Sequence, residues 1–357
     1  MSWEDKIRKV EPYVAGEQPV GKVIKLNTNE FPYPPSPMVA TRLYDMAQDE
    51  IDSSDNMLRK YPNMDADKLV RAISQVYGVD YDKIFVGVGS DDVLAMAFLT
   101  YFNSDKPILF PDITYSFYDV WAEVFRIPYE QKKLNDDFFI NKEDYIGRDC
   151  GGIVIPNPNA PTGVLEEVSF FEDIIKRNPD CIVIIDEAYI DFGGESALPL
   201  IDKYDNVVIV QTFSKSRALA GLRIGMAFAN PGLIRYLKDV KFSINSYTMN
   251  YPAIEIGTVS VLDTEYFDKT VKMLIKTREE TKIELKKLGF KFGDSKANFI
   301  FATHESVPAG EIFRKLKEKN IYVRHWDKPR ISNHLRISIG TDEEMHTLIE
   351  ALKEIVN

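Results

Sequence analysis

The sequence predicts an α/β protein: a mainly parallel sheet covered by helices on both faces, a smaller α+β domain, and an N-terminal arm. Three observations carry this. Short, continuous apolar runs recur at 84–88, 108–110, 153–155, 182–185 and 207–210. Helical stretches around 90–102, 115–125 and 166–177 separate most of them, and apolar runs alternating with helices are the pattern of parallel strands buried on both sides. After about residue 246 the pattern changes. A long charged helix near 264–288 leads to NFIFAT, a helix near 309–319, IYVRHW, HLRISIG and a last helix, which reads as a separate α+β unit.

Taken in order, residues 1–38 read as the arm, expected to pack with the small domain. Its polar start runs into LNTNEFPYPPSP, whose four prolines oppose both helix and central strand. Residues 39–246 read as the large domain. Near its start, 65–78 puts Leu69, Ile73 and Val76 on one face with Gly78 as the stop, an amphipathic helix. Residues 247–357 read as the small domain.

Composition narrows the function. At 357 residues the chain can bury a large core, and 45% apolar with 28% charged residues is ordinary for a globular protein. The net charge of −11, without a long basic run, argues against nucleic acid or an anionic membrane as partner, so an anionic substrate must be held by a few local arginines or lysines. Cys150 and Cys181 cannot form a disulfide framework in a chain of this size and read as small buried hydrophobes, fitting a reducing, cytoplasmic setting. The four histidines, at 304, 325, 334 and 346, have no metal-ligand spacing, so no metal is expected. MSWEDKIRK lacks the apolar core of a signal peptide, and the apolar runs are far short of the roughly 20 residues that span a membrane.

In an open α/β sheet, ligands sit outside the carboxyl ends of the strands, so the residues just after each run are the informative ones. After 84–88 come Gly89, Ser90, Asp91 and Asp92, opening a helix. Ser90 or Asp91 could cap it and leave amide N–H groups aimed at an anion. After 182–185 come Asp186, Glu187, Ala188 and Tyr189, placing a carboxylate where burial demands a cationic partner. After 207–210 come Thr212, Ser214 and Lys215, then Arg217 and Ala220-Gly221-Leu222-Arg223. An amine among small residues suits Schiff-base chemistry, and Arg223 can grip a phosphate bidentately. Tyr115 follows 108–110, placed to stack on a flat ring. Asn157 and Asn159 lie on the proline-fixed turn after 153–155 and could present amides to a ligand. Each piece alone is commonplace. A nucleotide would leave Lys215 and Asp186 without paired roles, whereas a phosphorylated pyridine aldehyde uses all of them.

These residues resemble those of fold-type-I pyridoxal-phosphate enzymes, and most closely the histidinol-phosphate aminotransferase family. The resemblance runs through nearly the whole chain. It rests on Glu11-Pro12-Tyr13, Leu26-Asn27-Thr28-Asn29-Glu30, Arg59-Lys60-Tyr61-Pro62, Gly89-Ser90-Asp91, Asp186-Glu187-Ala188-Tyr189, Ser214-Lys215 with Ala220-Gly221-Leu222-Arg223, and Leu335-Arg336-Ile337. It implies pyridoxal 5'-phosphate as cofactor, transamination between L-histidinol phosphate and 2-oxoglutarate, and a homodimer. By the same resemblance Lys215 would carry the cofactor as a Schiff base and move the substrate proton, Asp186 would pair with the pyridine nitrogen, and Tyr189 would bond the ring hydroxyl. Tyr115 would stack on the ring. Ser90, Asp91, Thr212, Ser214 and Arg223 would surround the phosphate, with Tyr61 reaching it from the neighbouring subunit. Tyr13, Asn29, Arg324 and Arg336 would meet the substrate. The family usually has Asn directly before Pro-Thr-Gly, where this chain has Ala160, so Asn159 or Asn157 is expected to supply that amide. Rival readings are a threonine-phosphate decarboxylase or a broader aromatic amino-acid aminotransferase on the same scaffold. A cofactor-sensing regulator lacks support, because no basic helix-turn-helix precedes the large domain.

Overall fold

The computed structural model describes residues 2–14, 16–52 and 56–356. In chain order the elements are β1 (Ile24–Leu26), α1 (Pro37–Asp52), α2 (Asp67–Tyr77), β2 (Ile84–Gly87), α3 (Ser90–Tyr101), β3 (Ile108–Pro111), α4 (Tyr118–Phe125), β4 (Tyr129–Lys132) and β5 (Gly152–Pro156). They continue with α5 (Val168–Arg177), β6 (Val183–Asp186), β7 (Val207–Thr212), β8 (Gly225–Phe228), α6 (Pro231–Ile244), α7 (Tyr251–Leu262) and α8 (Thr264–Lys287). The last are β9 (Phe290–Phe292), β10 (Phe299–His304), α9 (Ala309–Glu318), β11 (Ile321–His325), β12 (Leu335–Ser338) and α10 (Asp342–Val356).

Seven strands form the large sheet in the order β2-β8-β7-β6-β5-β3-β4, with β8 antiparallel to both of its neighbours and the other pairings parallel. The apolar runs explain why both faces are covered. Side chains alternate across a strand, so Ile84, Val86, Ile153, Ile155, Val183, Ile185, Val207 and Ile209 join one core, with residues of α1, α2, α5 and α7. Phe85, Ile108, Phe110, Val154, Ile184, Val208 and Val210 join the opposite core, with α3, α4 and α6. The second sheet runs β1-β11-β12-β10-β9 under α8, α9 and α10, and its core takes in Leu26 of the arm. The arm is tied to this unit by β1, parallel to β11.

The structure departs from the sequence reading in several places. The last arm proline, Pro37, opens α1 instead of blocking it, since a first-turn proline gives up no helical hydrogen bond. Helix α7 packs on α1 and α2, and its Ala253, Ile254, Ile256 and Val261 belong to the large-domain core. The change of core therefore falls between α7 and α8, beyond the expected boundary at 246/247. Neither Ser90 nor Asp91 caps α3: its N-cap is Gly89, without a side-chain bond, while the Val88 amide donates to Asp92. Cys150 and Cys181 are buried at the entrances of β5 and β6, with their sulfurs 3.4 Å apart.

One buried charge stands apart from the cavity described below. Lys241 on α6 donates to the Val86 carbonyl at 2.8 Å and lies 4.9 Å from the centre of the Phe85 ring, and burial lowers its pKa from 10.5 to about 8. The unfolded chain therefore binds more protons between pH 8 and 10.5, so stability rises with pH across that window, by about 3 kcal/mol for this group. Urea titrations from pH 7.5 to 10 should show this rise, and a Lys241→Met variant should lose that part of the slope.

Candidate active site

The carboxyl ends of β2, β3, β5, β6 and β7 meet the arm and the small domain around two joined cavities. The inner one, about 180 Å³, is lined by Ser90, Asp91, Asp186, Ser214, Lys215 and Arg223, together with Glu30 and Ala188. The outer one, about 140 Å³, is lined by Tyr13, Asn27, Asn29, Arg324, Trp326 and Arg336. Thr28, Tyr115, Ala160, Tyr189 and Lys215 border both.

Lys215 lies three residues past the end of β7, half-buried. Its amine makes no hydrogen bond or ion pair among the described residues and stands 5.6 Å from the centre of the Tyr189 ring. Asp186 ends β6, 5% exposed. Its Oδ2 accepts from the Tyr118 hydroxyl at 2.7 Å and its Oδ1 from the Ala188 amide at 3.2 Å. Burial pushes its carboxyl up to about 6, against the pull of those two donors. Both hydrogen-bond donors are neutral and the Lys215 charge acts only through space, so a cationic ligand beside this carboxylate would be favoured.

The anion cradle is built from close backbone approach. Gly89 has φ +90°, and a Cβ there would run into the Arg223 guanidinium; a Cβ on Gly225 would run into the Gly89–Ser90 backbone. The uncapped start of α3 therefore lies against Arg223, which pairs with Asp91 at 3.1 Å and reaches Ser214 Oγ at 3.4 Å. The Tyr115 hydroxyl donates to the other Asp91 oxygen at 2.7 Å. Amide N–H groups at a helix start beside an arginine form an anion site.

At the outer cavity Tyr13 stacks on Phe117 with ring centres 4.2 Å apart. Arg324 and Arg336 are register partners across β11 and β12, and each guanidinium lies just over 5 Å from the Trp326 ring. Arg336 donates to the Asn27 carbonyl, its buried Nε has no hydrogen-bond partner among the described residues, and burial lowers its pKa. Two guanidinium groups held this close call for an anionic ligand. Asn29 is buried and donates to the Tyr189 hydroxyl at 3.0 Å, tying the arm to the large domain.

Three expected site residues are placed otherwise. Asn159 does not line either cavity: its amide donates to the Ile113 carbonyl and Thr162 Oγ1 and accepts from Thr114, so it is consumed in holding the turn. Asn157 is likewise used against Glu166, and Ala160 is the turn residue that faces both cavities. Thr212 is buried behind Ser214, bonded to it and to the Ile224 carbonyl. Tyr61, expected to reach the phosphate of a neighbouring copy, is 81% exposed and packs on Tyr247 with ring centres 4.6 Å apart. Sequence reasoning missed Tyr118, Glu30 and Trp326. Tyr118 lies three residues after Tyr115, and Trp326 two residues after Arg324, just past the end of β11, so spacing was the available signal.

The residues fit pyridoxal phosphate: an unpaired amine, a buried carboxylate lacking a cation, an anion cradle and an aromatic wall share one cavity. Residues 21–352 match the family model for class I and II aminotransferases, and the chain belongs to that family. It is 51% identical to the histidinol-phosphate aminotransferase of Lactococcus lactis subsp. cremoris (strain MG1363), over 99% of this chain and 98% of that one. That similarity makes it a member of the histidinol-phosphate aminotransferase family. Among solved structures, that of the Clostridium acetobutylicum histidinol-phosphate aminotransferase superposes with TM-score 0.84 at 22% identity, covering 94% of this chain and 99% of that one. The Sinorhizobium meliloti enzyme in complex with pyridoxal-5'-phosphate gives 0.83 at 21%, covering 94% and 90%. At those identities the superpositions speak to the fold. No helix among the described residues is long and apolar enough to cross a membrane.

Proposed function

We propose that the chain catalyses pyridoxal-phosphate-dependent transamination from L-histidinol phosphate to 2-oxoglutarate, giving imidazole acetol phosphate and L-glutamate, in cytoplasmic histidine biosynthesis. The observation that carries this reading is the unpaired Lys215 amine in one cavity with Asp186, Arg223 and the start of α3, in a chain half identical to enzymes of that name.

When bound, the cofactor supplies an electron sink for the pair left as the substrate α-carbon loses its proton. The protein does the rest. Ser90, Ser214 and Arg223, with the α3 amides, hold the cofactor's phosphate, while Asp91 orients Arg223 and Tyr115. Lys215 would hold the cofactor through its aldehyde, and its amine, freed when the donor's amino group takes its place there, would carry the proton from the substrate α-carbon and deliver it again. The Asp186 carboxylate holds a proton on the pyridine nitrogen. Tyr189, fixed by Asn29, is the hydroxyl available to the ring oxygen, since Asn159 is turned away. Arg336 and Arg324 take the donor's phosphate and the acceptor's carboxylates, with Tyr13 closing the mouth.

Two copies of the chain would complete the site, with Tyr61 reaching the phosphate of the other copy. The exposed Tyr61 and Tyr247, in ring contact with each other, offer apolar surface to such a contact. Arg336→Ala is expected to raise KM for the phosphorylated donor roughly 10- to 100-fold, the loss of one charged, desolvated contact, with a smaller change in kcat. The reading itself is tested by the absorbance of the purified protein. A visible cofactor band should bleach with histidinol phosphate and far less with threonine phosphate, and carbon dioxide release from threonine phosphate would overturn it.

A further inference from the structure

We infer that Tyr118 is a positioning residue for the reaction: its hydroxyl holds the Asp186 carboxylate ionised and aimed at the ring nitrogen of the cofactor. The inference rests on the functional reading above and extends it to a residue that does not touch the cavity. Tyr118 begins α4, three residues beyond Tyr115. Its side chain is fully buried, packed among Phe98, Phe110, Tyr115 and Trp121 at ring separations of 5.8 to 6.2 Å. Among the described residues its one hydrogen bond is the 2.7 Å bond to Asp186 Oδ2. An aromatic core position would accept phenylalanine, so a buried hydroxyl with a single carboxylate partner needs a reason.

The reason lies in what Asp186 faces. A carboxylate in this surrounding is disfavoured by desolvation, and the negative Asp91 on α3 adds to that. Against it stand the Ala188 amide, the Lys215 amine past β7, and Tyr118. Arg223 is already committed to Asp91 and Glu30 to Lys25 on the arm, while Tyr115 donates to Asp91 and the Tyr189 hydroxyl accepts from Asn29. Lys215 acts on Asp186 only through space, and among the described residues Tyr118 and the Ala188 amide are the two hydrogen-bond donors to its carboxylate. A donor to the ionised form lowers its pKa; loss of that donor raises it. Tyr118 also fixes the oxygen it bonds, leaving the carboxylate one orientation for a third partner.

The test uses the stripped protein, titrated with pyridoxal phosphate between pH 5 and 9 and followed by the visible band. The wild type should bind with an acidic limb set by Asp186. Tyr118→Phe should move that limb up by about one pH unit, the shift one ordinary hydrogen bond supports. In an Asp186→Asn background, Tyr118→Phe should produce no further shift, which separates coupling through the carboxylate from general loosening of α4. Should the phenylalanine variant not fold, 3-fluorotyrosine at position 118 keeps the shape and strengthens the donor, and the limb should move down. Superimposable limbs for wild type and Tyr118→Phe, an unmoved limb with 3-fluorotyrosine, or an equal shift in the Asn background would overturn the inference. A wild-type protein that develops no visible band at any pH would fail the functional reading first and the inference with it.

Discussion

Lys215→Ala is expected to lower kcat by about 10⁴-fold or more, since one amine serves as both nucleophile and proton carrier. The structure isolates the effect. The amine makes no hydrogen bond or ion pair among the described residues, so its removal orphans no buried donor or acceptor. Stability should stay within the small range of an ordinary half-exposed substitution. Cofactor affinity should fall but persist, because the phosphate contacts at Ser90, Ser214 and Arg223 are untouched. Steady-state kinetics with histidinol phosphate, beside thermal melts of the apoprotein, checks both halves. A rate within tenfold of wild type would remove Lys215 from the chemistry.

Asp186→Asn is the second large effect, a fall in kcat of about 10²- to 10³-fold, the usual size of losing one preorganised electrostatic contact to a developing charge. The same change should leave the apoprotein no less stable at pH 7. The Asp186 carboxyl is raised from 3.8 to about 6. The folded state therefore binds more protons between those values, so stability falls as pH rises through the window and above it the ionised group costs about 3 kcal/mol. The neutral amide escapes that cost. A variant with lower activity and an equal or higher melting temperature is the expected outcome; an unchanged rate would contradict the role given to Asp186.

The strands were legible because each is apolar on both faces, a pattern that a helix with one wet side cannot produce. Elements without that contrast were not. Helix α7 is apolar nearly all round and so shows no period, while β4 is a polar edge of four residues. No pattern announces that β8 runs against its neighbours. At the site, residues directly after strands could be read off, because chain order fixes their place: Lys215, Asp186, Tyr115, Ser90 and Arg223 surround one inner cavity. Asn159 was over-read, since a turn amide has neighbours of its own to satisfy, and here Ile113, Thr114 and Thr162 take it. Tyr118 was under-read because burial hides function: an aromatic at the start of a helix looks like core until its hydroxyl is seen on Asp186. Trp326 gained meaning only when β11 and β12 brought two arginines to its ring.

The central claim concerns the amine at position 215. Borohydride reduction of the purified, cofactor-loaded protein, followed by proteolysis and peptide mass spectrometry, locates the lysine to which the cofactor is joined. The account predicts a single pyridoxyl group on the peptide carrying Ser214-Lys215-Ser216. The same label on another lysine, or spread over several surface lysines, would contradict it.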